Sequence, residues 1–163
     1  MGKGARGAEG WWGGKGREAL TDGQKASVVD SLFAYLAGRT VNRICVDYAF
    51  GIQFLEKKRK VEIRIEGEFT VQRDGKTFRA QATDTNSLAP VLTIFPRVLK
   101  TISMAEGDTL KLDFDEIILK VAPDPRYEAW EISTSDGAKI VCTPGGGLSM
   151  WGTRPDVDKP LGN

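Results

Sequence analysis

The sequence predicts a mainly β domain of the α+β class. It is built from two pseudo-symmetric units, each a helix followed by an antiparallel meander, packed as a sandwich or a partly open barrel. Three observations point there. The hydrophobic period changes from about 3.6 to 2 after each of two helical stretches. Asp74-Gly75 and Asp136-Gly137, dipeptides that favour hairpin turns, close the two units. Residues 31–75 and 89–137 also carry the same order of events: an apolar helix-like run, an Arg, then short strand-like pieces. Val41 aligns with Leu99, Ile44 with Ile102, Val46 with Met104 and Ile52 with Leu110 at one constant spacing. The turns then shift the register, so that Ile63 falls on Leu119 and Phe69 on Trp130. A meander of this kind exposes one apolar face and open edges, and packing the units about an approximate two-fold buries the faces.

In chain order, residues 1–26 are rich in Gly, with Trp11-Trp12 as the bulky feature. Nothing periodic is available there to offset ordering entropy, so a disordered leader is expected, with a docking peptide at the tryptophans as the alternative. Val28, Val29, Leu32, Phe33 and Leu36 then recur at helical spacing, with Ser27 as N-cap and Gly38 as stop. Ile44, Val46 and Tyr48 alternate with Cys45 and Asp47; Ile52 and Phe54 follow; Val61, Ile63 and Ile65 alternate with Glu62, Arg64 and Glu66. The charged run 56–60 between them is a hairpin turn, since a basic nucleic-acid patch would interleave aromatics. The second helix is expected from Ser87, with Leu88, Val91, Leu92 and Phe95 on one face, Pro90 in the first turn and Pro96 ending it. Leu110, Leu112 and Phe114, then Ile117, Leu119 and Val121, repeat the strands. One domain over 27–151 results, with units of about 27–85 and 86–151 and an unstructured tail over 152–163 carrying Pro155 and Pro160.

The chain has 163 residues, enough for a proper core without disulfides or metals. Its 23 basic and 22 acidic residues leave a net charge of +1, so no whole-molecule field draws it to nucleic acid or an anionic membrane. It has no run of about 18 apolar residues and no secretory-type start, which favours a cytoplasmic location. It contains no histidine, which removes Ser-His-Asp and Cys-His catalysis and His-based metal sites. No cofactor or metal is expected. Cys45 and Cys142 sit in apolar runs and read as buried free thiols.

Several segments could still carry function. Pro144 followed by Gly145, Gly146 and Gly147 must turn sharply or approach something closely. A tight turn joining two strands is the structural reading, and an anion cradle of backbone amides is the functional one, without the Gly-Lys-Ser/Thr ending of a nucleotide loop. Asp47, Glu66, Asp124, Glu128 and Glu131 are carboxylates beside apolar neighbours. Two of them could run glycoside chemistry if they converged, whereas ion pairs to Arg39, Arg43, Arg64 or Arg97 are the structural alternative. Trp130 reads as core; Tyr127 and Trp151, near turns or ends, fit core or interface equally.

The segments Val46-Asp47-Tyr48-Ala49, Ile65-Glu66-Gly67, Tyr127-Glu128-Ala129-Trp130-Glu131 and Pro144-Gly145-Gly146-Gly147-Leu148 together resemble an uncharacterised bacterial domain family of unknown function. The resemblance covers roughly residues 38–151. It implies a fold unit and no activity.

The function expected is a non-enzymatic binding domain that holds a protein partner, in the manner of neutralising, immunity-like or regulatory proteins. Its surface would be built from Asp47, Tyr48, Tyr127, Glu128 and the loop 144–147. The alternative is small-ligand binding or carboxylate catalysis in a pocket between the units, centred on Asp47, Glu66 and Glu128. Either a monomer or a homodimer paired by strand edges fits. Pro123-Asp124-Pro125 and the triple glycine occur in the second unit alone, which makes them the places where function was added.

Overall fold

The computed structural model describes residues 20–152. Helix α1 (Asp22–Leu36) leads into strands β1 (Arg43–Val46), β2 (Phe50–Glu56), β3 (Arg59–Ile65), β4 (Phe69–Arg73) and β5 (Lys76–Ala80). A 3-10 turn (Thr85–Leu88) runs into the short helix α2 (Ala89–Leu92). Strands β6 (Thr101–Ala105), β7 (Thr109–Asp113), β8 (Ile117–Val121), β9 (Trp130–Thr134), β10 (Lys139–Cys142) and β11 (Leu148–Trp151) complete the chain.

The strands form two antiparallel sheets, one ordered β1-β2-β3-β9-β10-β11 and the other β5-β4-β8-β7-β6. The domain is thus a mainly β sandwich and does not close into a barrel. Its topology is reciprocal: the meander β1-β2-β3 of the first unit is extended by the β9-β10 hairpin of the second, and β6-β7-β8 is extended by the β4-β5 hairpin of the first. Ile63 opposes Ile132 in one sheet and Leu119 opposes Val71 in the other. The expected match of Ile63 with Leu119 therefore describes equivalent positions, as does that of Phe69 with Trp130. The match of Ile52 with Leu110 does not. Ile44 opposes Ile52 while Ile102 opposes Leu112, because the connection after β6 holds a 3-10 turn (Glu106–Asp108) that the turn after β1 lacks.

The two-fold relation is most direct just before β1 and β6, where Thr40 opposes its counterpart Val98 in an isolated antiparallel bridge. The hydrogen bonds are reciprocal there: Val41 N–H donates to Arg97 O at 2.9 Å and Leu99 N–H to Arg39 O at 2.8 Å. Each unit also closes its helix with the same clamp. Arg39 Nε donates to Tyr35 O and pairs with Glu56, at 3.0 and 2.5 Å; Arg97 Nε donates to Thr93 O and pairs with Glu116, both at 3.0 Å. Arg39 and Arg97 thus serve the scaffold and not the candidate carboxylates.

Three local expectations are corrected. α1 begins at Asp22, because Thr21 and Gln24 form a reciprocal capping box in which each side chain accepts the other's backbone N–H. Ser27, expected as the cap, lies inside the helix, and 22–26 are helix where a leader was expected. The stop at Gly38 holds, with φ of 85°. In the second helix Leu88, Val91 and Ile94 face the core, while Leu92 and Phe95 are exposed, since the 3-10 turn rotates the face by following i, i+3 spacing. Cys142 is a buried free thiol, but Cys45 is half-buried on the outer sheet face, where its Sγ accepts from Gln53 at 3.6 Å. Residues 1–19 of the expected leader, Trp11 and Trp12 among them, and residues 153–163 lie outside the described residues.

Inward-facing side chains of both sheets, with Val29, Leu32, Phe33 and Leu36 from α1, form one continuous core. Alternation along β3, β8 and β9 puts every second residue into it, and each large side chain buried this way contributes about 1.5–3 kcal/mol.

Candidate functional site

The strand register places the candidate residues along one rim. Val46, Phe50, Ile65 and Trp130 oppose one another in sequence across the larger sheet. The turn at Asp47 and Tyr48, the link beginning at Glu66 and the strap 122–129 therefore emerge at the same end. Cys142 opposes Leu148 beside them, so the loop of Pro144, Gly145, Gly146 and Gly147 emerges there too. With strands about 4.8 Å apart, the rim runs on the order of 20 Å.

At one end of the rim Arg64, on the outer face of β3, joins two candidates. Its guanidinium grips Asp47 through Nη1 and Nη2 at 3.1 and 2.8 Å, and its Nε donates to Glu66 at 2.9 Å. Asp47 Oδ1 also accepts the Ala49 N–H at 2.8 Å, which leaves Tyr48 at the apex, 86% exposed. The hydrogen bonds from Arg64, then the one from Ala49, hold the Asp47 carboxyl below the usual carboxylate range; the same contact with Asp47 raises Arg64. These two acids form one ion network with Arg64. A group with a lowered folded pKa contributes stability above its unfolded value and loses it as pH falls through the folded one. The urea midpoint is accordingly expected to fall on acidification below about pH 4, and Asp47→Asn is expected to flatten that fall.

The middle of the rim is the strap. Asp124 Oδ1 accepts the N–H groups of Arg126 and Tyr127 at 2.7 and 3.1 Å, a side-chain-closed turn. Arg126, Tyr127 and Glu128 project outward, with Tyr127 64% exposed and the Arg126 guanidinium 5.4 Å from its ring centre. The strap re-enters the sheet at the buried Ala129, whose carbonyl accepts the Glu66 N–H at 3.0 Å.

At the other end Gly145, Gly146 and Gly147 all have positive φ, at 79, 103 and 85°. This loop is the turn of the β10-β11 hairpin, as the structural reading had it. Gly145 N–H donates to Asp124 O of the strap at 2.8 Å, and Gly147 N–H to the Asp108 carboxylate at 3.0 Å. A Cβ on Gly146 would stand 3.0 Å from that carboxylate, so the loop must be glycine both for its dihedrals and for this approach. The anion against this loop is thus the chain's own Asp108, held by the single amide of Gly147. Burial, and next the Asp108 charge, push the Cys142 thiol up. Asp108→Ala is expected to cost about 1 kcal/mol, as a charge-assisted hydrogen bond at a partly exposed site. Urea unfolding measures it, with amide shifts confined to the loop and strap.

Arg64 was among the ion-pair partners that the sequence offered, whereas sequence reasoning missed Asp108 as the anchor. Arg64 had a signal, since strand alternation puts it on the same face as Glu62 and Glu66. Asp108 had none, because its partner lies in the other sheet. Asp47 and Glu66 meet at Arg64, while Glu128 lies on the strap, exposed. An open cleft of about 290 Å³ lies at the opposite end, lined in part by Tyr35, Arg39, Thr40, Asn42 and Glu56. Tyr35 there is raised by burial and then by Glu56. Among the described residues no group of three or more His, Cys, Asp or Glu could hold a metal ion, and no helix is long and apolar enough to cross a membrane.

The model of a family described as "Family of unknown function (DUF6188)" matches residues 33–152. No curated protein and no solved structure matches the chain.

Proposed function

Because the chain belongs to the DUF6188 family, whose description assigns no activity, we propose from its geometry that it is a non-enzymatic protein-binding domain. It would act as a neutralising or regulatory partner in a bacterial cytoplasm, a location in keeping with its two free thiols. The observation that carries this reading is the strap. Three links, from Asp124 to its own turn, from Gly145 to the strap and from Gly147 to Asp108, fix a segment that holds Arg126, Tyr127 and Glu128 out in solvent. Arg and Tyr are the residues that most often anchor interfaces, and a surface ordered before binding loses little entropy on association. Tyr48 and the Asp47-Arg64-Glu66 network extend it along the rim. The reciprocal topology supports an origin by internal duplication, with the strap and glycine loop added to the second unit alone.

A photo-crosslinking residue at position 127 in the native host, with Lys76 at the opposite end as control, tests the proposal. One discrete adduct from position 127 and none from 76 is expected. With the partner in hand, Tyr127→Ala should weaken binding by about 2 kcal/mol while leaving the unfolding midpoint in place. Identical adduct patterns from both positions would sink the idea. The Tyr35–Arg39–Glu56 cleft offers one place for a small ligand, and a thermal-shift screen of the wild type beside Tyr35→Ala separates that role from the rim.

A further inference from the structure

Four strands stand at the outer positions of the two sheets: β1, β11, β5 and β6. Three of them are guarded. β1 and β6 are tied together just upstream by the Thr40–Val98 bridge, and α1 packs on β6. β5 carries exposed Lys76 and Arg79, the charged residues that discourage edge pairing. β11, with the sequence Leu148-Ser149-Met150-Trp151, carries no charge and, among the described residues, pairs with β10 alone. Leu148 and Met150 pack on the core, while Ser149 lies on the outer face opposite Val141. Trp151 lies on that face opposite Lys139, and its indole is 52% exposed. Among the described residues the smaller sheet has no strand equivalent to β11.

We propose that β11 is the contact through which two copies of this chain associate, edge to edge and antiparallel, joining their larger sheets into one. Identical strands pairing antiparallel generate a closed two-fold contact, and a strand without charge brings no like charges together across it. The pleat limits the register further. Core-facing residues must oppose core-facing residues, so Met150 pairs with Met150 of the partner subunit or Ser149 with Ser149 of the partner subunit. The first sets Ser149 opposite Trp151 of the partner subunit, which covers both exposed indoles with the smallest side chain of the strand. A four-residue pairing falls below the area of a standard stable interface, so the dimer is weak and concentration-dependent. The contact is separate from the strap and stands whether or not the strap binds a partner.

Sedimentation equilibrium of the full chain from micromolar to millimolar concentration is the test. A monomer–dimer equilibrium is expected, with a blue shift of tryptophan emission as the dimer fills. Ser149→Lys sets a cation against the partner's edge and should weaken association at least tenfold with an unchanged unfolding midpoint. Trp151→Ser, at the strand's end, gives the same readout if Ser149→Lys fails to fold. A chain that stays monomeric to millimolar concentration overturns the proposal, and so does a dimer that both variants leave intact.

Discussion

Replacing Trp130 with alanine is expected to destabilise the fold by about 3–5 kcal/mol, the usual cost of removing a large aromatic from a closed core. Trp130 is fully buried and is the largest of the core side chains. It opposes Ile65 at the start of β9, where the second unit's hairpin joins the first unit's meander. Against a total of about 5–15 kcal/mol for a typical domain, the loss is large enough to shift the urea midpoint far to the left. Trp130→Phe is expected to cost much less, about 1–2 kcal/mol. The indole Nε1 is buried without a hydrogen-bond partner among the described residues, so the smaller ring loses volume but also removes an unmet donor. A Phe variant as damaging as the Ala variant would show that the nitrogen is in fact satisfied.

Phe50→Ala should fall in the same range, about 3–4 kcal/mol. Phe50 is fully buried in the larger sheet, and its ring centre stands 5.4 Å from that of Phe69 in the smaller one, tilted by 31°. This aromatic contact crosses the sandwich, and such pairs contribute about 0.5–1.5 kcal/mol beyond their burial. A double-mutant cycle of Phe50→Leu and Phe69→Leu is therefore expected to show a coupling of that size. Strict additivity would mean that the rings only fill space.

The strands were legible because alternation is a local property. The meander positions of β1 to β3 and β6 to β8 can be read from residues a few places apart, and so can Asp74-Gly75 and Asp136-Gly137. Which sheet each hairpin joins is not local: β9 pairs with β3, and nothing in Trp130 to Thr134 names Ile63 as the partner. The face of the second helix was misread because Leu92 and Phe95 fit an α-helical stripe until a 3-10 turn changes the angle between successive residues. The start of α1 was missed for the opposite reason. Its capping residues Thr21 and Gln24 stand in a glycine-rich context that argued for no structure at all. At the rim the candidate types were found, with Arg64 among the offered partners, but the role of the glycine loop depended on Asp108 arriving from a turn of the other sheet. Asp47 and Glu66 thus proved to be one ion network, while Tyr127 and Glu128 proved to be free ends of a fixed strap.

The exchange of hairpins between the two sheets also governs when the chain can fold. Ile63 and Ile132 must meet although they are roughly 70 residues apart, and Val71 must wait for Leu119 in the same way. A nascent chain that has released the first unit holds β3 and β4 with their edges unpaired, since the strands that cover them are still being synthesised. Completion of both sheets is thus expected only once nearly the whole domain has left the ribosome, at the slower rates of non-local β topologies. A product cut short before β8 displays the edges of both β3 and β4, and one that ends between β8 and β9 still displays that of β3, so truncation favours aggregation.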